Sequence, residues 1–302
     1  MSKSNDIETQ ENPSAKGNKL FCDAILEQNL NDVTRLIQQV DVNGLNCNGR
    51  TPLILASAYS HHLIVEALLQ HGAAVDQART TDGETPLIVA SWAGHHPVVE
   101  ALLNHGAAVD KATTDDGVTP LILASAYSHH LIVEALLQHG ATVDKARTTD
   151  GLTPLYVASQ NGNHLVVETL LNHGAVVDKA RTTSGATPLY IASENGHHSV
   201  VKVLLKKGAD PNHPRTDTGA TPIQVATTPE IADLMREYDR RNKTMLGISE
   251  LDNVTRDYDA TLPRDLYQYI GKKGRDYGGR RRKSRKSRKS KKSKKSKKRR
   301  RL

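Results

Sequence analysis

Large rings are scarce in this chain. Aromatic residues make up 4% of its 302 positions, with one Trp and one Phe. A compact core built on ring packing is excluded, so Ala, Val, Leu and Ile must do the packing. Hydrophobic residues reach only 37%, below the ~45–50% usual for globular chains. No apolar run approaches the roughly 20 residues that span a bilayer. The opening residues, MSKSNDIETQENPSAKG, lack the apolar stretch of a secretory signal. Ser2 speaks against myristoylation, and the ending Arg-Arg-Arg-Leu against prenylation. Two cysteines, Cys22 and Cys47, are too few for a disulfide framework and form no Cys-x-x-Cys pair. These absences point to a soluble, intracellular protein of a reducing compartment, nuclear or cytoplasmic.

The net charge of +8 divides into two opposite objects. Residues 272–302 hold 20 Lys and Arg against one acid, Asp276, which gives +19. Residues 1–271 hold 21 bases against 32 acids, which gives −11. An acidic body carries a strongly basic tail.

The body is periodic. Thr-Pro-Leu recurs at Thr51, Thr85, Thr119, Thr153 and Thr187, and Thr221-Pro222-Ile223 follows, each step being 34 residues. Self-similarity at this period signals a solenoid. Residues 51–84 and 119–152 differ only at Ala74/Thr142, Gln77/Lys145 and Glu84/Leu152, so the array grew by duplication. Within a unit, Thr51 is placed to cap a helix through its hydroxyl, and Pro52 sits where a missing N–H is harmless. Leu53 and Ala56 give that helix a narrow apolar edge. Ile64, Val65, Leu68 and Leu69 mark one face of a second helix. Gly72 supplies the left-handed residue past its end, repeated as Gly106, Gly140, Gly174 and Gly208. The polar run Asp76 to Gly83 ends in Asp-Gly, a turn signal. The unit reads as helix, loop, helix, protruding turn. It buries neither apolar face alone, so neighbours must stack.

The pattern TPLILAS…LIVEALLQHGAAVD…DG resembles the ankyrin repeat. The resemblance implies an all-α solenoid of stacked helix-loop-helix units with β-turn or hairpin fingers and disordered termini. It assigns 1–17 to a disordered N-terminal segment and 18–243 to the repeat domain. The domain divides into a degenerate first repeat 18–50, full repeats 51–84, 85–118, 119–152, 153–186 and 187–220, and a truncated last repeat 221–243. A linker 244–271 with a short helix and a basic disordered tail 272–302 follow. Three features depart from the family. The His after Thr-Pro-Leu is replaced by Ile54, Ile88, Ile122, Tyr156, Tyr190 and Gln224. The period of 34 lengthens the finger by one residue. The Gly between the helices, kept at Gly94, Gly162 and Gly196, is Ser60 and Ser128 in the near-duplicate units. A non-Gly residue held left-handed costs about 1 kcal/mol, so those loops are expected to be strained or differently shaped.

Thirteen of the 14 His recur with the repeat: His61/His62, His95/His96, His129/His130, His197/His198 and His164 before the second helix, and His71, His105, His139 and His173 after it. Residues one repeat apart are displaced along the stack, whereas a metal needs three or four converging ligands. The expectation is backbone bonding between neighbouring units, with no metal and no cofactor. The recurring Asp82, Asp116 and Asp150 precede Gly in turns, where Asp has a local backbone role. No phosphate loop, Gly-x-Ser-x-Gly elbow or Cys–His pair is present, and no enzyme is expected.

Residues that vary at fixed repeat positions carry the binding information. The family binds protein partners in a concave groove lined by finger tips and the ends of the first helices. Those ends bring Tyr59, Trp92, Tyr127, Gln160, Asn161, Glu194 and Asn195 into it. Aromatics at such places anchor binding hot spots; packing against the adjacent helix is the alternative. Glu84, Val118 and Leu152 precede Thr-Pro in the fingers, and two of them are apolar in turns. Arg79, Arg147, Arg181 and Arg215 form one ladder, and Lys111, Lys145 and Lys179 a second. Either meets an acidic partner or is neutralised by neighbouring Asp.

In the tail, 17 of the 22 residues from Arg280 to Arg301 are basic: Arg280, Arg281, Arg282, Lys283, Arg285, Lys286, Arg288, Lys289, Lys291, Lys292, Lys294, Lys295, Lys297, Lys298, Arg299, Arg300 and Arg301. The remaining five, Ser284, Ser287, Ser290, Ser293 and Ser296, are candidates for phosphorylation, which at roughly −2 each would cancel about half of the tail's charge. Such a run binds polyanions by counterion release and resembles a nuclear localisation signal. Nucleic acid, an anionic membrane surface and the acidic body are its targets by charge. Leu262-Pro263-Arg264-Asp265-Leu266 to Ile270 faintly resembles the start of an F-box, cut short by the basic run. The chain is therefore expected to be a monomeric, non-enzymatic interaction scaffold with a polybasic tail. A sequence-nonspecific nucleic-acid-binding protein and a ubiquitin-ligase substrate adaptor are the alternatives.

Overall fold

The computed structural model describes residues 13–45, 47 and 49–242. The expectations for 1–12, for the linker 244–271 and for the tail lie outside these residues. Among the described residues all regular structure is helical.

Each Thr-Pro opens a helix. The Thr51 hydroxyl accepts from the Ile54 N–H at 3.1 Å, and the bond recurs at Thr85, Thr119, Thr153 and Thr187 with lengths of 3.2, 3.3, 3.1 and 3.2 Å. In the last unit the Gln224 side chain accepts from the Thr221 N–H at 2.9 Å. Five inner helices result: Pro52–Ala58, Pro86–Ala93, Pro120–Ala126, Pro154–Gln160 and Pro188–Glu194. Each turns back into an outer helix: His62–Gln70, His96–Asn104, His130–Gln138, His164–Asn172 and His198–Lys206. Gly72 stands past the end of its outer helix at φ +83°, and its four repeats are left-handed as well. Inner helices pack on inner helices and outer on outer.

The first repeat consists of Pro13–Leu26 and Leu30–Leu36. The last repeat is the short Pro222–Val225 followed by helix over 229–242.

Stacking produces one apolar core that runs from Phe21 to Met235. Ile64, Val65, Leu68 and Leu69 line it as the spacing predicts. The inner helices do not have the narrow edge expected of them, for every residue from Pro52 to Ser57 is buried. A helix flanked by two neighbours, an outer helix and a finger has no solvated side, which is why this segment is apolar all round. Ala56, Ala90, Ala124, Ala158 and Ala192 are fully buried, the small side chain letting the inner helices close up.

One finding agrees with a sequence expectation, in its strained alternative, and one departs from the sequence reading. Ser60 and Ser128 keep the left-handed turn of the glycines they replace, each at φ +63°. Cys22 and Cys47, read as the two cysteines of a protein in a reducing compartment, are joined in a disulfide with Cα atoms 5.6 Å apart. Their separation of 25 residues conceals the pairing. Stacking lays the helix Pro13–Leu26 against Pro52–Ala58, which brings Cys22 to the turn just before Thr51.

Candidate functional site

The fingers are built from backbone bonds within and between units. Arg79 N–H donates to the Glu84 carbonyl at 2.8 Å and Gly83 N–H to the Arg79 carbonyl at 2.9 Å. Tip-to-tip rungs follow, from Thr114, Thr148, Thr182 and Thr216 N–H to the carbonyls of Asp82, Asp116, Asp150 and Ser184, at 2.9, 3.0, 3.0 and 3.0 Å. The fingers therefore form one continuous surface.

The arginine ladder is engaged within that surface. Arg79 pairs with Asp82 and, at 2.8 Å, with Glu84. Arg147 pairs with Asp150 at 2.7 Å, and Arg181 reaches back to the same carboxylate at 2.6 Å. Ser184 explains this, since it stands where the finger of Arg181 would otherwise carry its own Asp. The Arg147 guanidinium, with help from Leu152 N–H and Arg181, holds the Asp150 carboxyl at about 2. Hydrogen bonding from Arg79 likewise lowers Asp82. The lysine ladder is also structural: Lys111, Lys145 and Lys179 donate to the carbonyls of Asp76, Asp110 and Asp144 in the preceding unit at 2.7, 2.8 and 3.0 Å.

Seven of the recurring histidines bond to backbone, three between neighbouring units as expected and four within their own helix. His71, His105, His139 and His173 each place Nδ1 within 2.8–2.9 Å of a carbonyl in their own helix. His95, His129 and His197 place Nε2 3.0, 3.2 and 2.9 Å from carbonyls of the preceding repeat, those of Ala58, Trp92 and Gln160. Asn163 fills the same role in its own unit, donating to the Ala126 carbonyl at 3.0 Å.

Between fingers and loops lie the inner-helix ends. Tyr59, Trp92 and Tyr127 are 52%, 53% and 55% exposed, so packing leaves half of each ring free. Trp92 meets Tyr127 edge-on with centroids 6.3 Å apart. Tyr59 stacks on His61 at 6.0 Å and Tyr127 on His129 at 6.3 Å. His129 in turn is tied to the Trp92 carbonyl, so the platform is braced before any partner arrives. Asn161 and Asn195 lie on the same row, their amides donating to the Ala126 and Gln160 carbonyls at 2.9 Å each. Gln160 is half-buried and Glu194 exposed.

The finger residues divide. Glu84 and Val118 are half-buried. Leu152 is buried with Ile122, Tyr156, Ala186, Tyr190 and Ile191 in a second small core beneath the fingers, and it offers a partner little surface. The sequence signal for this core was the pair of tyrosines at the family's His position. They fill the space that Leu152 and Ala186 cover, and the Arg215 guanidinium lies 5.4 Å over the Tyr190 ring.

This geometry of paired helices, backbone-linked fingers and a braced inner row is that of a repeat-built interaction surface. The three-copy ankyrin-repeats profile matches residues 20–113 and 107–181, and the single ankyrin-repeat profile matches 184–215. The chain belongs to the ankyrin-repeat family. Among solved structures, it resembles the ankyrin repeat domain of Bcl-3, a member of the IkappaB protein family, with a TM-score of 0.64 and 28% identity over 72% of this chain and 97% of that one. It also resembles the human ASB11 ankyrin repeat domain, with a TM-score of 0.63 and 26% identity over 72% and 96%. No curated protein matches the chain. No helix among the described residues is long and apolar enough to cross a membrane.

Proposed function

We propose that the chain is a non-enzymatic scaffold that holds a protein partner in the groove formed by its fingers and inner-helix ends. The observation that carries this reading is the exposed row of Tyr59, Trp92 and Tyr127 in three successive repeats, the middle ring of the row being the only Trp of the chain. Half-exposed aromatics braced by ring neighbours, histidines for the two tyrosines and Tyr127 for Trp92, lose little freedom on binding, which favours affinity. Glu84, Val118, Gln160 and Glu194 extend the contact to either side. In this reading 18–243 is the binding array, 244–271 a spacer and 272–302 a polyanion-binding or nuclear-targeting tail.

The groove is tested by using the full chain as bait and comparing Trp92→Ala with Glu168→Ala, an exposed change on an outer helix. Partners should be lost with the first and kept with the second. Retention of every partner by Trp92→Ala refutes the groove. The tail is tested by filter binding of DNA or RNA to the full chain and to residues 1–271. Binding should require 272–302 and weaken steeply from low to physiological salt. Salt-independent binding refutes the counterion account.

A further inference from the structure

The groove is unevenly charged, and the unevenness coincides with the aromatic row. Fingers 79–84 and 113–118 hold four acids, Asp82, Glu84, Asp115 and Asp116, against one base, Arg79, for a net −3. Fingers 147–152, 181–186 and 215–220 hold three arginines against two aspartates, for a net +1. The inner helices that follow the two acidic fingers end in Trp92 and Tyr127, and the finger 79–84 also follows the helices of the repeat of Tyr59, whose own inner helix begins after Arg50. Those of the other half end in amides and Glu194.

The acidic surplus is not absorbed internally. Asp82 and Glu84 share the single guanidinium of Arg79. Asp116 lies 3.7 Å from Arg147, which Asp150 holds at 2.7 Å. Asp115 is exposed, and its carboxylate accepts from the Asp116 N–H at 2.9 Å. That backbone bond keeps it below the ordinary carboxylate range, so it is a standing negative charge at neutral pH.

Resting on the groove reading above, we infer that the segment seated on this half is cationic and carries arginines. Trp presents the best face for a cation, and guanidinium is the cation most often found on aromatic faces. Guanidinium also matches carboxylates with two parallel donors, as ammonium does not. The spacing suits an extended segment. A seven-residue inner helix is about 10 Å long. Side chains two and four residues apart in an extended chain fall on one side, about 7 and 13 Å apart. Arginines at that interval reach from the ring row to the finger acids.

Trp92 is the only Trp of the chain, so its emission reports the site directly. The full chain is titrated with three nine-residue peptides in which Gly alternates with Arg, with citrulline, or with Glu. Citrulline keeps the shape of arginine without its charge. The arginine peptide should perturb Trp92 emission saturably and bind at least tenfold more weakly at physiological than at low salt. The citrulline peptide should bind at least tenfold more weakly than the arginine one, and the glutamate peptide not at all. By anisotropy of labelled arginine peptide, Asp115→Asn with Asp116→Asn should weaken binding severalfold while the far-UV melting curve stays in place. Equal binding of the citrulline and arginine peptides overturns the cationic assignment and leaves the groove standing. Arginine-peptide binding unchanged by Trp92→Ala places the peptide elsewhere and overturns both.

Discussion

Asp150 is the carboxylate on which two fingers depend. Arg147 and Arg181 reach it at 2.7 and 2.6 Å, and the Leu152 N–H at 3.2 Å. Its side chain is only 7% exposed, so solvent screens these contacts weakly. The two guanidiniums hold its pKa at about 2, well below the ordinary aspartate range. At 1.36 kcal/mol per unit, this depression favours the charged form by about 2 kcal/mol. Asp150→Asn keeps the shape, removes the charge and leaves two guanidiniums without their anion. It should destabilise the array by about 2 kcal/mol at pH 6. The sign in acid follows from the direction of the shift. A depressed carboxyl contributes stability above its unfolded pKa and loses it as pH falls through the folded value. The difference between wild type and variant should therefore shrink to less than half at pH 2.5. Urea unfolding followed by far-UV circular dichroism at the two pH values measures it. Carboxylates away from Arg147 and Arg181 titrate equally in both proteins and cancel. A variant as stable as wild type at pH 6, or a difference unchanged at pH 2.5, refutes the reasoning.

Ser60→Gly and Ser128→Gly should each stabilise by up to about 1 kcal/mol, reduced by the extra freedom of Gly in the unfolded chain; lower melting temperatures would show that the serines are not strained. Cys22→Ser should speed hydrogen exchange across residues 13–45 and lower stability by about 3 kcal/mol through loss of the 25-residue closure; unchanged exchange would show that stacking alone holds the first repeat. Trp92→Ala should weaken partner binding by more than about 1 kcal/mol with little change in melting temperature; a large fall in melting temperature would make Trp92 a packing residue. Leu152→Ala should cost about 2–4 kcal/mol as a buried truncation, a loss that an exposed finger residue would not show.

Much of the fold was legible because the signals are local. Thr-Pro marks a helix start through a bond three residues away, and Gly72 marks a helix end through its own backbone angle. The aromatic row was legible for a similar reason. Tyr59, Trp92 and Tyr127 stand out against a repeating background, and about half of each is exposed. What escaped depends on adjacency across repeats. Leu152 reads as a turn residue until Tyr156 and Tyr190 are placed beneath the fingers. The partner of Arg181 appears only when the preceding finger is stacked beside its own.

The sequence by itself determined the repeat length, the helix ends and the family, because each rests on contacts within a few residues and is copied from unit to unit. The tertiary structure decided which of those copies are neutralised, buried or bonded, as with Asp150, Leu152 and the Cys22–Cys47 pair. Those outcomes depend on distances between segments some 25 to 35 residues apart along the chain, and only stacking brings such segments within a few ångströms.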